Sequence, residues 1–199
     1  MRNALDDIEL SGIRAFADQY RGDDSKLFMT IGEPAFDTPN SIKDAAKEAL
    51  DDNVTHYPPA MGFVDLRQKI AEYENKFYSS SYNEENVIIT NGATESLALA
   101  LWSVLDLSDE IIVPVPSFPL YQTQAKLVGA KTVLLDTSFD SFQISKESLN
   151  ACVSEKTKAL LITSPNNPTG TIYNRESNQV IYYFLMENED VYLIIDEVY

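Results

Sequence analysis

The sequence predicts an α/β fold, a mostly parallel sheet flanked by helices, and two observations carry that prediction. From Asn86 onward, five short runs are rich in Val, Ile and Leu and apolar at nearly every position: "NVIIT" (86–90), "EIIVPV" (110–115), "KTVLLD" (131–136), "KALLIT" (158–163) and "VYLIID" (191–196). Strands of that kind suit a sheet covered on both faces, which means parallel strands with helices between them. The runs also alternate with longer amphipathic stretches, which predict helices over 92–106, 119–129, 145–153 and 174–188.

Ahead of this region, "SIKDAAKEALDDN" (41–53) and "GFVDLRQKIAEYENKF" (62–77) predict two more helices. In the second, Phe63, Leu66, Ile70, Tyr73 and Phe77 keep the three-and-four spacing of one buried face. The irregular "VTHYPPAMG" between them carries two prolines that forbid helix. No internal repeat, low-complexity tract or clear linker interrupts the chain.

The composition excludes several classes of function. With 44% hydrophobic and 23% charged residues in 199, the chain is an ordinary globular sequence with enough apolar content for a sizeable core. Its 31 Asp and Glu against 15 Lys and Arg give a formal charge of -16, which repels nucleic acid and anionic membranes at long range. The one cysteine, Cys152, excludes an internal disulfide and fits a reducing compartment, so the expected location is the cytoplasm. The acidic start "MRNALDDIELSGIRAF" does not read as a secretory signal, and no apolar run approaches membrane-spanning length. His56 has no second imidazole for a metal site, no serine sits in G-x-S-x-G, and glycines at 12, 22, 32, 62, 92, 129 and 170 form neither a dinucleotide nor a P-loop signature.

Loops that leave the carboxyl ends of parallel strands gather on one edge of the sheet, where ligands bind. That places "NGATES" (91–96), "PSFPLY" (116–121), "SPNNPTG" (164–170) and "DEVY" (196–199) near one another. In the first, Gly92 lets the backbone approach a ligand, while Ala93 and Thr94 present unpaired amides at the positive end of a helix, a phosphate cradle. An N-cap beside a flexible glycine is the ordinary alternative. In the second, Phe118 stands between two prolines, placed to lie flat on a planar ligand or to fill a gap in the core. In the third, the prolines hold a polar asparagine at a fixed angle. In the last, Asp196 ends the most apolar strand, where a carboxylate needs a cation or several donors; a protonated ring nitrogen or a loop hydrogen bond would both serve. Tyr199 and Asn167 are neutral donors for an oxygen on the same ring. A phosphate seat, a stacking ring, an anion and neutral donors together match pyridoxal 5'-phosphate.

The motifs "SGIRAF", "TIGEPAFDTP" (30–39), "HYPPAMGFVDLRQKIAEY" (56–73), "NGATES", "PSFPLY", "SPNNPTG" and "DEVY" stand in one order. In that order the chain, from about Ile8 to Tyr199, resembles the N-terminal half of a class I/II aminotransferase of the fold-type I pyridoxal-phosphate enzymes. The stretches "DIELSGIRAF", "TIGEP" and "DNVTHYPPAMG" look most like the branch of aromatic-amino-acid and N-acetyl-diaminopimelate aminotransferases. The resemblance implies a truncated large domain over 41–199 preceded by an N-terminal segment, 1–40, on the substrate side. It implies a homodimer that moves an amino group between an amino acid and a 2-oxo acid.

By the same resemblance, Gly92, Ala93 and Thr94 hold the cofactor phosphate, Phe118 stacks on the pyridine, and Asn167 and Tyr199 bond the ring hydroxyl. Asp196 pairs with the ring nitrogen and keeps it protonated. Gly32 offers its amide to the substrate carboxylate, and Tyr57 reaches the cofactor phosphate of the neighbouring subunit. The family's Schiff-base lysine follows the "DEVY" position by a few dozen residues and is not in this chain, so residues 1–199 alone are expected to be inactive. A carbon–sulfur lyase on the same fold and a non-catalytic cofactor-binding module are the alternatives. Ile13, Phe36 and Tyr121 are candidates for the side-chain pocket, with a core or surface role as the default for each.

Overall fold

The computed structural model describes residues 8, 12–23 and 25–199, excepting the side chains of residues 13 and 14. The chain divides into two compact units, one within Leu10–Thr90 and one holding Asn91–Tyr199. Among the described residues, no helix is long and apolar enough to cross a membrane.

The first unit contains helices α1 (Gly12–Gln19), α2 (Asn40–Asp51) and α3 (Val64–Tyr78), followed by a 3-10 turn at Glu84–Asn86. Helix α3 buries Arg67 and Ala71. The Arg67 guanidinium donates to the Gly62 carbonyl at 3.2 Å and to the Glu84 carbonyl at 2.7 Å, tying the helix to the segments before and after it. Gly62 has φ +93, and a Cβ there would stand 2.5 Å from Ile89 Cγ1, so only glycine fits this approach.

The strand expected over 86–90 does not form. Val87 is extended, but a strand exists only by pairing, and this segment is held instead by a bond from the Ile89 amide to the Met61 carbonyl at 3.0 Å. The apolar run was legible; its lack of a neighbouring strand was not.

The second unit is the predicted α/β sheet. Along the chain it runs α4 (Ala93–Val104), β1 (Glu110–Val115), α5 (Leu120–Val128), β2 (Lys131–Asp136), α6 (Lys146–Asn150), β3 (Thr157–Thr163), α7 (Arg175–Glu187) and β4 (Tyr192–Asp196). The strands lie in the order β2-β1-β3-β4, and every pairing is parallel. Side chains alternate between the faces with the period of two that a strand imposes. Ile111, Val113, Ala159 and Leu161 pack with Leu97, Leu101 and Leu105 of α4 and its C-cap and with Tyr121 and Ala125 of α5. Ile112, Leu160 and Ile162 face the other way, against Leu149 of α6 and Ile181 and Phe184 of α7. Six of these strand residues are wholly inaccessible, at 0%. At about 1.5–3 kcal/mol for each fully buried Val, Leu or Ile, this double-sided burial explains why β1 and β3 read as continuous apolar runs.

Strand order fixes where a ligand site forms. From β1 the chain moves outward to β2, then returns past β1 to β3 and β4, so the direction of winding reverses between β1 and β3. Loops leaving the carboxyl ends of two such strands diverge and open a crevice. Those two loops are "PSFP" after β1 and "SPNNPTG" after β3.

Candidate functional site

The crevice is a cavity of about 180 Å³ whose lining includes Ala93, Thr94, Phe118, Asn167, Asp196 and Tyr199, together with Leu97, Leu120, Tyr121, Thr163 and Val198. Six of the nine site residues singled out from sequence therefore meet at one place. Gly92 stands immediately before the lining residue Ala93 as the N-cap of α4. Gly32 and Tyr57 belong to the unit within Leu10–Thr90 and are not among the lining residues. Phe36 is exposed, and the side chain of Ile13 lies outside the described residues.

The α4 end of the cavity is built by backbone. Gly92 adopts φ 78 and ψ 172, a combination that is essentially glycine-only, and no side chain caps the helix. Asn91 donates its amide to the Glu95 carboxylate, and the Glu95 and Ser96 amides turn back to the Gly92 carbonyl. The Ala93 and Thr94 amides have no partner among the described residues and face the position where the helix dipole is positive. A Cβ at Gly92 would meet nothing within 4 Å, so the space beside these amides is open to a ligand.

Loop "SPNNPTG" divides its work between adjacent asparagines. The Asn166 side-chain amide donates to the Pro116 carbonyl at 3.0 Å and to Thr169 Oγ1 at 2.7 Å, while the Asn166 main chain exchanges 2.8 Å bonds with Thr171 and Gly170. Asn166 is thus the residue that shapes the loop, and Asn167 is the one that lines the cavity.

Asp196 reaches the site through strand parity. In the parallel register of β3 and β4, Thr163 lies beside Asp196, on the same face as Leu161 and Ile194 and toward α4 and α5. From α5 the Tyr121 hydroxyl donates to Asp196 Oδ2 at 2.8 Å and accepts from Thr163 Oγ1 at 2.6 Å. Burial, with the Asp196 charge adding to it and the Thr163 bond opposing it, pushes the Tyr121 phenol well above its ordinary range. The Phe118 ring meets Tyr121 edge-on, with centroids 5.9 Å apart and planes at 84°. Sequence reasoning left Tyr121 undecided and missed Thr163. The available signal was parity, since residues 159, 161 and 163 share a face once the strand is placed.

Chemically, the cavity offers the Ala93 and Thr94 amides at a helix N-terminus, the rings of Phe118 and Tyr121, the carboxylate of Asp196, and the amide and phenol of Asn167 and Tyr199. Among the described residues no lysine lines it, and no cluster of His, Cys, Asp and Glu is arranged to hold a metal.

A crevice at the carboxyl ends of parallel strands, where the winding reverses, is the place where open α/β sheets bind ligands, so the fold and cavity define an α/β domain with a ligand site at its switch point. The family model for aminotransferase class I and II matches residues 24–199, and the chain belongs to that family. A probable N-acetyl-LL-diaminopimelate aminotransferase of Bacillus subtilis is 36% identical over 194 residues, 97% of this chain and 49% of that protein. The aromatic-amino-acid aminotransferase 2 of Thermococcus litoralis is 35% identical over 201 residues, 100% of this chain and 51% of its own length. Among solved structures, the aspartate aminotransferase of Thermus thermophilus with maleate superposes at a TM-score of 0.91 with 32% identity, covering 100% of this chain and 53% of that one. The chain spans about half the length of the relatives it matches.

Proposed function

We propose that this chain is the N-terminal half of a pyridoxal-phosphate-dependent aminotransferase, which moves an amino group between an amino acid and a 2-oxo acid. The observation that carries the proposal is the meeting of Ala93, Thr94, Phe118, Asn167, Asp196 and Tyr199 around one cavity. Their chemistry fits the cofactor group by group: amides for a dianionic phosphate, a ring for a ring, an anion for a ring nitrogen and neutral donors for a ring oxygen. When bound, the cofactor supplies a carbonyl carbon that captures the amino group and a pyridinium ring that withdraws electrons from the substrate's α-carbon.

The residues of this chain bind and tune it. The Ala93 and Thr94 amides hold the phosphate at the positive end of α4, and Gly92 keeps side-chain bulk away from it. Phe118 lies against one face of the ring. Asp196 accepts from the ring nitrogen and keeps that nitrogen protonated, the role that makes the ring an electron sink. Asn167 and Tyr199 donate to the ring oxygen. Gly32 presents its amide to the substrate carboxylate.

The rest of the site belongs to the rest of the enzyme. A cavity of about 180 Å³ is smaller than the roughly 300–1,000 Å³ of a typical ligand pocket. A lysine that attaches the cofactor and moves the α-proton, supplied from beyond "DEVY", and Tyr57 of the partner subunit in a homodimer would complete it. Tyr57 is fully exposed, as a residue serving a second copy must be. Residues 1–199 alone are then inactive. The single cysteine suits a reducing compartment, and the proposed setting is amino-acid metabolism in the cytoplasm. The substrates are of the aromatic or N-acetyl-diaminopimelate type.

The test is amino transfer by the full-length protein to 2-oxoglutarate from a panel of aromatic, acidic and diaminopimelate-derived donors. Formation of glutamate with consumption of the oxo acid is the expected result. Release of pyruvate and ammonia from cystathionine with no oxo acid present would replace transfer by carbon–sulfur lysis.

A further inference from the structure

We infer that Tyr121 is a positioning residue that sets the orientation of both Phe118 and Asp196, with Thr163 as the residue that aims the Tyr121 hydroxyl. The inference rests on the proposed pairing of Asp196 with the cofactor's ring nitrogen.

An ionised carboxylate only accepts hydrogen bonds, so the proton between Tyr121 and Asp196 belongs to the phenol. The phenol has one proton, and with that proton given to Asp196 Oδ2 its oxygen is left to accept from Thr163 Oγ1. The order Thr163 to Tyr121 to Asp196 is therefore the only one these three groups allow. It crosses from β3 to α5 to β4, with Thr163 and Asp196 beside each other in register.

What the relay controls is the plane of the carboxylate. The last torsion of an aspartate is broad and nearly two-fold, so an unsupported carboxylate swings and exchanges its oxygens. A donor fixed on Oδ2 removes that freedom and leaves Oδ1 as the acceptor for a ligand of the cavity that Asp196 lines. Tyr121 is a suitable donor because it cannot itself drift: the residue is 1% exposed and packs from α5 into the core formed with the sheet and α4. The same ring meets Phe118 at 84°, which limits the tilt of the side chain proposed to lie on the cofactor. One buried residue thus relates the flat contact to the charged contact.

The test measures equilibrium binding to the cofactor-free full-length protein of two ligands, pyridoxal phosphate and its analogue with carbon in place of the ring nitrogen. Contributions from the phosphate seat and from elsewhere in the protein are common to both and cancel in the ratio of dissociation constants. Asp196→Ala should abolish the preference for the nitrogen-containing ligand; if it does not, the underlying reading of Asp196 fails. Given that control, Tyr121→Phe should weaken pyridoxal phosphate about tenfold, the scale of one hydrogen bond to a charged group, and leave the carbon analogue within about twofold. Thr163→Val, which keeps the phenol in place, should shift the ratio the same way by a smaller factor, and it carries the test alone if Tyr121→Phe does not fold. Equal weakening of both ligands, or no change in the ratio for either variant, overturns the inference, because a residue that merely fills the core would not distinguish the ring nitrogen.

Discussion

The side-chain amide of Asn166 donates to the carbonyl oxygen of Pro116 over 3.0 Å, joining the loops that leave the two central strands β1 and β3. That bond, with the one to Thr169, makes Asn166 the clasp of the site while its neighbour Asn167 faces the cavity. Equivalent substitutions should therefore differ in kind. Asn166→Ala leaves the Pro116 carbonyl and Thr169 hydroxyl without this donor and should lower unfolding free energy by about 1–3 kcal/mol in urea. Asn167→Ala should stay within about 0.5 kcal/mol of the parent while weakening cofactor binding. Equal stability of the two variants would contradict the division of labour.

Asp196 is the residue on which the proposed chemistry turns. Asp196→Ala in the full-length enzyme should reduce kcat/KM by at least about 100-fold, the scale of removing one preorganised electrostatic group. The protein should remain folded by circular dichroism. Turnover close to that of the parent would remove the carboxylate from the mechanism.

Gly92 is a backbone requirement, not a space requirement. A Cβ there meets nothing within 4 Å, yet φ 78 and ψ 172 are disallowed to other residues. Gly92→Ala should cost about 1–3 kcal/mol of stability and raise the dissociation constant for phosphate-bearing ligands, since the Ala93 and Thr94 amides must re-aim. A variant as stable as the parent with unchanged affinity would show that the helix start tolerates another conformation.

Stability should fall at both ends of the pH scale for identifiable reasons. Glu110, at the start of β1, accepts from Lys131 Nζ at 2.8 Å and from Ser154 Oγ at 2.6 Å, and these two bonds hold its carboxyl below the ordinary 4.5. A depressed folded value means that the contribution is present above 4.5 and is lost as pH falls through the folded value. The Glu110→Gln variant should be less stable at neutral pH, and the gap should close in acid.

Tyr173 acts in the opposite sense. Burial pushes its phenol from 10.0 up to about 12, so its contribution is intact below 10.0 and is lost as pH rises toward about 12. Tyr173→Phe should flatten the alkaline limb over that window. Thermal melts across pH read both effects, and parallel curves for variant and parent would refute either assignment.

Much of this was legible in the sequence because burial writes itself into composition. Ile111, Ile112 and Val113 are apolar in succession since both faces of β1 are covered, and that pattern announced a parallel sheet and the edge on which its loops meet. Asp196 stood out because a carboxylate ending an apolar strand demands a partner. What stayed hidden was relational. Tyr121, Thr163 and Asp196 are separated by 42 and 33 positions and come together only through strand register and the face that α5 covers. The run 86–90 has the composition of a strand, but pairing is a property of two segments. Asn166 and Asn167 are the same residue type side by side, and only loop geometry assigns one to the scaffold and the other to the cavity.

A crystal structure of the full-length protein grown with pyridoxal phosphate would test the proposed cofactor site without intermediaries. The expected result is an Asp196 oxygen about 2.7–3.2 Å from the ring nitrogen, Phe118 against the ring face and phosphate oxygens on the Ala93 and Thr94 amides. Density that placed the ring nitrogen away from Asp196, or the phosphate away from the start of α4, would contradict it.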